Sequence, residues 1–543
     1  MNPIAAAASI PVDSAQNSEC PVCHEQKRSY LFVVRGLPVC RCPGCGLVSL
    51  HPQPSPADIA ASGKQERRSD GADPALNYLD SATEREASRR YLDWLRMRGI
   101  DKARLLLVAP EGHPFADEAR QQGFEIVRQA SVRDMQSAVE PAVDPALNCD
   151  AAVVYQQLEK SADVSGFIEQ LKAALRPGGV LLMVTPSFES WPRSFFGSQW
   201  TEWRAENLHY FDPITIQGLL LRHGFGKVWV EPERRHYSLR HIYQRASSIP
   251  RSMLTRLLIL LFHVTPPPFR DLRLRFSCSG MLVAAQRVAE RKQPVCSIVV
   301  PVYNEKDTFK TLMEALLAKQ IAGVEKEIVV VESNSKDGTR ELVRGYEKHP
   351  GVKVIYEERP RGKGHAVRTG LAQASGDIVL IQDADLEYDM NDYEELIEPL
   401  IRFRAPFVLG ARHGGRWKMR EFEHDKLSSD MLNIGHQFFT LVLNVLYRQR
   451  MCDPFTMYKL FWRDCLYGLE FECNRFDFDH ELVIKLVRKG YTPLEIPVNY
   501  RSRSFKEGKK VNVFRDPIQW LWYDFKFRFV RIRKMPTEPP MKK

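Results

Sequence analysis

The chain has 543 residues, a formal net charge of +10, 44% apolar and 27% charged residues. That length fits about three domains rather than one, and the composition is ordinary for a soluble globular protein, so metal or disulfides are needed only where a segment is very short. Two classes are excluded: no Lys or Arg precedes the Ala-rich start Met1–Pro11, as a secretory signal requires, and no apolar run reaches the roughly 20 residues of a membrane span.

Residues 1–19 read as a disordered tail. Five of the 11 cysteines crowd into Cys20–Cys45. Without a secretion signal this points to a reducing, cytoplasmic setting and a metal site rather than disulfides. Cys20-Pro-Val-Cys23 and Cys42-Pro-Gly-Cys45 are two C-x-x-C pairs, each able to grip one side of a structural Zn²⁺. Cys40 competes with Cys42, but the C-x-x-C spacing favours Cys42. A small zinc ribbon is expected over 20–50, followed by a polar linker, His51–Asp73.

The second block, 74–287, opens with an expected helix Tyr78–Arg98. Buried strands follow at Leu105–Val108, up to Val127, at Ala151–Val154 and at Leu181–Thr185, alternating with helices. This alternation argues for a doubly wound α/β sheet. Met253–Val264 is expected to be a short buried helix, and Val264–Phe269, with its three prolines, a loop. The segment Leu175-Arg-Pro-Gly-Gly-Val-Leu-Leu-Met-Val-Thr-Pro-Ser187, with Asn207-Leu-His-Tyr-Phe-Asp212 and Gly224-Phe225 after it, resembles class I S-adenosylmethionine-dependent methyltransferases. The resemblance implies a Rossmann-like domain. Where the cofactor would sit, however, the first loop reads Ala109-Pro-Glu-Gly-His-Pro114, with one glycine. Ala130 stands where an acidic residue should end the second strand, and Lys160 follows Leu158-Glu159. A retained fold with lost chemistry is expected, without S-adenosylmethionine. A bifunctional sugar methyltransferase is the alternative.

The third block, 295–530, begins with the buried strand Ser297–Val300, running into Pro301-Val-Tyr-Asn-Glu305. A second strand, Glu327–Val331, ends in Glu332-Ser-Asn-Ser-Lys-Asp337. A third, Val352–Tyr356, precedes Arg359-Pro-Arg-Gly-Lys-Gly364. A fourth, Asp377–Ile381, delivers Asp383-Ala-Asp385. Ligands bind beyond the carboxyl ends of such strands. Paired carboxylates there repel unless a cation lies between them, and Mg²⁺ or Mn²⁺ bridging a diphosphate suits them. Together with Lys363-Gly-His-Ala366, Gly410-Ala-Arg412, Asp453-Pro-Phe-Thr-Met-Tyr-Lys459 and Glu507-Gly-Lys-Lys510, the series resembles glycosyltransferase family 2 with its GT-A fold. More narrowly, it is similar to the branch containing dolichyl-phosphate mannose and polyprenyl-phosphate glucose synthases.

The resemblance implies roles. Pro301, Tyr303 and Glu305 line a nucleoside pocket, Glu332 contacts the base, and Asp337 and Lys363 help to bind the donor. Asp383 and Asp385 hold the metal on the diphosphate, which makes Asp385 catalytic. Arg412 and the loop carrying Arg501, Arg503, Lys509 and Lys510 meet phosphates. The implied reaction is inverting transfer from a UDP- or GDP-linked sugar to a polyprenyl-phosphate or glycan acceptor in cell-envelope glycan synthesis. A hydroxyl acceptor needs a base, for which Asp479 and Glu481 are candidates; a helix cap is the other reading of Asp479. A non-catalytic nucleotide- or glycan-binding scaffold is a further alternative. From Arg501 to Lys543 there are 13 Lys/Arg against 4 Asp/Glu, with Trp520, Trp522, Tyr523, Phe525, Phe527 and Phe529 interleaved. This pattern suits peripheral attachment to an anionic membrane face. A plain solvated tail over 531–543 competes with that reading, and no nucleic-acid partner is expected.

Overall fold

The computed structural model describes residues 19–34, 36–55, 59, 81–135, 147–240, 243, 253–289, 293–412, 426–501 and 515–532. The expected tails up to Ser18 and from Arg533 on, and most of the linker, lie outside the described residues. The chain forms two compact units, Met1–Ala289 and Glu290–Pro536.

In the N-terminal unit, the strands β1 (Ser29–Val34), β2 (Leu37–Arg41) and β3 (Val48–Leu50) make an antiparallel ribbon. β3 pairs on its other side with β8 (His209–Tyr210), so the four-stranded sheet is completed from the second block. Val39, Val48 and Leu50 bury against Trp200, Trp203 and Tyr210, because three short strands cannot make a core alone.

The second sheet contains β4 (Arg104–Val108), β5 (Glu125–Ala130), β6 (Cys149–Tyr155), β7 (Leu175–Pro186), β9 (Phe225–Ser238) and β10 (Arg273–Arg287), in the order β5-β4-β6-β7-β10-β9. β5, β4, β6 and β7 run parallel, and β10 runs antiparallel to both β7 and β9. The helix Met253–Val264 forms as expected, but among its described side chains Leu257, Leu260, Leu261 and Val264 face solvent and Phe262 is buried. The prolines end that helix, yet Pro267 opens a one-turn helix, Pro267–Arg270, because proline fits a first helical turn.

The C-terminal unit is built on β11 (Val295–Val302), β12 (Glu325–Glu332), β13 (Val352–Tyr356), β14 (Ile378–Ile381), β15 (Phe407–Ala411), β16 (Lys459–Trp462) and β17 (Leu494–Pro497). Their order is β13-β12-β11-β14-β16-β15-β17. β11 to β14 are parallel; the nearly unbroken apolar runs of β11, β14 and the second half of β12 mark strands covered on both faces, whereas β13 is a half-exposed edge strand. The chain steps outward from β11 to β13 and returns to β14 on the other side of β11. The carboxyl ends of β11 and β14 therefore flank a topological switch point, where a crevice opens.

Candidate active site

The loops after β11 and β12 are tied together by side chains. Asn304 adopts φ +52°; its N–H donates to Ser335 Oγ (2.9 Å) and its Oδ1 accepts from Lys336 N (2.9 Å). Glu305 N donates to Thr339 Oγ1 (3.0 Å) and Lys306 N to Asp337 Oδ2 (3.1 Å). Asp337 thus organises the loop and is not among the cleft-lining residues. Burial works against its charge, but bonds from Thr339 and Lys306 hold its carboxyl below the usual range. Glu332 is fully buried beneath the loop, accepting from Ser335 N (2.6 Å), with Arg340 3.5 Å away, and it too lies off the cleft lining.

The helix Lys363–Gln373 starts at the cleft, and its first turn presses on the start of helix Asp477–Arg488. A Cβ on Gly364 would meet Phe478 Cβ at 2.5 Å and Arg475 O at 2.6 Å, so only glycine allows this approach. It brings Lys363 Nζ to 2.7 Å from Asp383 Oδ2, just past β14. Opposite, Lys459 of β16 reaches Asp479 Oδ1 at 3.0 Å.

The cleft encloses about 890 Å³ and is lined by Pro301, Tyr303, Glu305, Lys363, Asp383, Asp385, Arg412 and Asp479, among others. Its farther wall is apolar, with Phe438, Phe439, Phe455, Trp520 and Leu521. Burial opposes the charge of Lys363, yet Asp383 and then Asp479 hold its pKa above that of an ordinary lysine. Burial raises the Asp383 carboxyl; Lys363 offsets this only in part, and Asp479 and Glu387 push it further up. Carboxylates outweigh cations here, and a surplus of hard oxygen donors fits a divalent ion such as Mg²⁺ or Mn²⁺ held by Asp383 and Asp385.

Arg412 lines the cleft but is spoken for: its Nε and Nη2 grip Asp453 at 2.8 and 2.7 Å, and His436 Nε2 lies 3.0 Å from the same carboxylate. Burial works against the Asp453 charge, but Arg412 and His436 hold its pKa well below the usual range. Glu481 is corrected as a base: it is fully buried, accepts from Glu472 N and Cys473 N, pairs with Lys485, and does not line the cleft. Arg501 is exposed, while Arg503, Lys509 and Lys510 lie outside the described residues. Sequence reasoning assigned no role to Lys459, Asp453 or His480, although the first two stand within a quoted motif. His480 stacks between Phe455 and Trp520, ring centroids 4.3 and 5.3 Å away, and meets Asp524 at 2.8 Å.

Residues 297–466 match the sequence profile of glycosyl transferase family 2. The matched stretch lies within the C-terminal unit. Similar proteins include the dolichol-phosphate mannosyltransferase of Pyrococcus furiosus, 26% identical over 39% of this chain and 58% of that protein. A dolichyl-phosphate beta-glucosyltransferase of Trichomonas vaginalis is 26% identical over 38% of this chain and 64% of its own length. The chain therefore spans about three fifths of the length of these relatives. Among solved structures, glucosyl-3-phosphoglycerate synthase of Mycobacterium tuberculosis with uridine diphosphate is 20% identical, covering 44% of this chain and 81% of that one, TM-score 0.32. Among the described residues, no helix is long and apolar enough to cross a membrane.

In the N-terminal unit, the ligand sulfurs of Cys20, Cys23, Cys42 and Cys45 lie within 4.8 Å of one another. A zinc ion with Zn–S bonds of about 2.3 Å fits such a set. Cys40 Sγ turns instead toward His51 O at 3.7 Å. Past the ends of β4 and β6, His113 and Tyr155 belong to a buried polar cluster. Arg235 donates to Glu84 (2.6 Å) and Glu233 (2.7 Å), Tyr155 OH lies 3.0 Å from Glu84, and His113 packs on the Tyr155 ring at 4.1 Å.

Proposed function

We propose that this protein is a metal-dependent, inverting glycosyltransferase. It would move a sugar from a UDP- or GDP-linked donor to a polyprenyl-phosphate acceptor at the inner face of a membrane, in cell-envelope glycan synthesis. The observation that carries this reading is the convergence of Asp383, Asp385, Lys363 and Asp479 in one cleft at the switch point of the sheet. Mg²⁺ or Mn²⁺, held by Asp383 and Asp385, would supply positive charge to the departing diphosphate. Lys363 adds a fixed cation beside it, placed before reaction begins, which is how preorganised charge lowers a barrier. Tyr303, Pro301 and Glu305 hold the nucleoside side of the donor. Attack then comes from the face of the sugar opposite the nucleotide.

The acceptor follows from two features. Asp479 is already engaged by Lys459 at 3.0 Å, and a phosphate acceptor is anionic and needs no base. The apolar wall of Phe438, Phe439, Phe455 and Trp520 suits a hydrocarbon chain. Ile434, Phe438, Leu441 and Val445 on helix Lys426–Tyr447, and Ile518, Trp522, Phe525 and Phe529 on helix Arg515–Phe529, form two stripes 50–82% exposed, as membrane-surface helices do. The N-terminal unit is read as a scaffold with a structural Zn²⁺. The buried cluster of Arg235, Glu84, Glu233 and Tyr155 past the strand ends supports a domain without S-adenosylmethionine, since its polar groups already satisfy one another.

The test is calorimetric titration of the full chain with UDP and GDP, each with and without Mn²⁺, and with S-adenosylmethionine separately. Metal-dependent binding of one nucleotide, lost in Asp385→Ala, is the expected result. Absence of nucleotide binding under every metal condition overturns the transferase reading in favour of a scaffold, and S-adenosylmethionine binding overturns the reading of the N-terminal unit.

A further inference from the structure

The segment between β9 and β10 belongs to no part of the proposed reaction. The two strands pair antiparallel out to Ser238 opposite Arg273, so the chain leaves and re-enters the sheet at one end. Between them stand the helices Met253–Val264 and Pro267–Arg270. Phe262 anchors the longer helix by stacking on Tyr243, ring centroids 4.1 Å apart. Arg270 lies over the Phe262 ring and donates to Thr265 O (2.8 Å) and His263 O (3.1 Å), which satisfies carbonyls at the helix end and braces the turn.

On the other face, Leu257, Leu260, Leu261 and Val264 follow the i, i+3, i+4, i+7 spacing of one helical stripe. Phe269 and Leu272 extend it, and these six side chains are 47–67% exposed. The rim is basic: residues 253–275 contain four arginines and one acid, Asp271, which is bound by Arg240 at 2.6 and 2.9 Å. Arg256, Arg273 and Arg275 are exposed. A leucine stripe bordered by arginine matches the boundary of an anionic bilayer, with hydrocarbon beneath and phosphate headgroups beside it. A second copy of the chain fits less well, because a two-fold contact would bring one arginine rim against the other.

We propose that this insert is a membrane-docking element of the N-terminal unit, lying in the headgroup layer of an anionic bilayer independently of the glycosyltransferase domain. The test is co-sedimentation of the full chain with phosphatidylcholine vesicles and with vesicles containing phosphatidylglycerol. It is run in the natural chain and in an Ile518→Glu/Trp522→Glu background that disables the C-terminal stripe. Leu257→Glu/Leu261→Glu is expected to lower partitioning into anionic vesicles at least tenfold in that background and to leave nucleotide binding unchanged. Arg273→Glu/Arg275→Glu is expected to weaken binding to anionic vesicles and not to neutral ones. A Leu260→Trp variant reports insertion directly, through quenching by brominated lipid beyond that of the parent. Unchanged partitioning of the leucine variant overturns the proposal. So does a natural chain that is a dimer, made monomeric by the leucine variant with vesicle binding intact.

Discussion

Lys363→Met tests the charge arrangement of the cleft most directly. The two side chains are similar in length, so the substitution removes the ammonium and little volume. Asp383 then loses the cation at 2.7 Å and keeps Asp479 and Glu387 as neighbours. Two unit charges at that distance attract by about 6 kcal/mol at an effective dielectric of about 20, before desolvation is counted. Removing one partner of a fully buried pair costs about 3–5 kcal/mol, which is an upper bound for this part-buried one. For a domain of roughly 150–250 residues each kcal/mol moves the melting temperature by about 2–4 °C, so the C-terminal unit is expected to melt lower without metal, by up to about 10 °C. A divalent cation replaces the lost charge. At 100 times its Kd an ion adds about 2.7 kcal/mol, and the gain is expected to be larger in the variant, where no ammonium competes for Asp383. Scanning calorimetry of both proteins with and without Mn²⁺ reads this out, and the fall in donor turnover is measured beside it. Equal Mn²⁺ shifts in the two proteins, or a variant as stable as the natural chain without metal, would refute the reasoning.

Gly364→Ala is expected to lower nucleotide affinity and to destabilise the domain by about 1–3 kcal/mol, the range for overpacking, because its Cβ would meet backbone and Cβ atoms at 2.5–2.6 Å; titration with nucleotide and urea melting check it. His209 is buried, and burial lowers its pKa to about 4. The fold favours its neutral form, so its contribution is full above about pH 6.5 and is lost as pH falls toward 4, amounting to about 3 kcal/mol. A His209→Gln chain is expected to show a flatter stability profile between pH 6.5 and 4 in urea melts, and parallel profiles would count against this assignment.

The buried strands were readable in the sequence because a parallel strand covered on both faces is an unbroken apolar run, and the positions of Asp383 and Asp385 at the cleft were readable because they follow such a run directly. The cysteine set was readable for a similar reason: its spacing is local. Errors arose where the answer depended on direction. Asp479 and Glu481 are two residues apart, about 200° around a helix, so one faces the cleft and the other the loop at Glu472–Cys473. The bond of Arg412 to Asp453 crosses 41 positions, beyond any spacing rule. The stripe on helix Met253–Val264 has the right period, but a period alone does not say whether anything covers it.

The ribbon's shared sheet bears on how the nascent chain must manage itself. β3 is finished long before β8 exists, since its partner at His209–Tyr210 lies roughly 160 residues later, on the order of ten to thirty seconds of synthesis. Through that interval Val48–Leu50 is an open edge, the kind that seeds pairing between chains. Metal captured early by the four thiols would keep the hairpin closed and the edge short while translation continues. Ribosome-bound chains starved of zinc are therefore expected to aggregate before the second block emerges, whereas finished protein tolerates a chelator for longer.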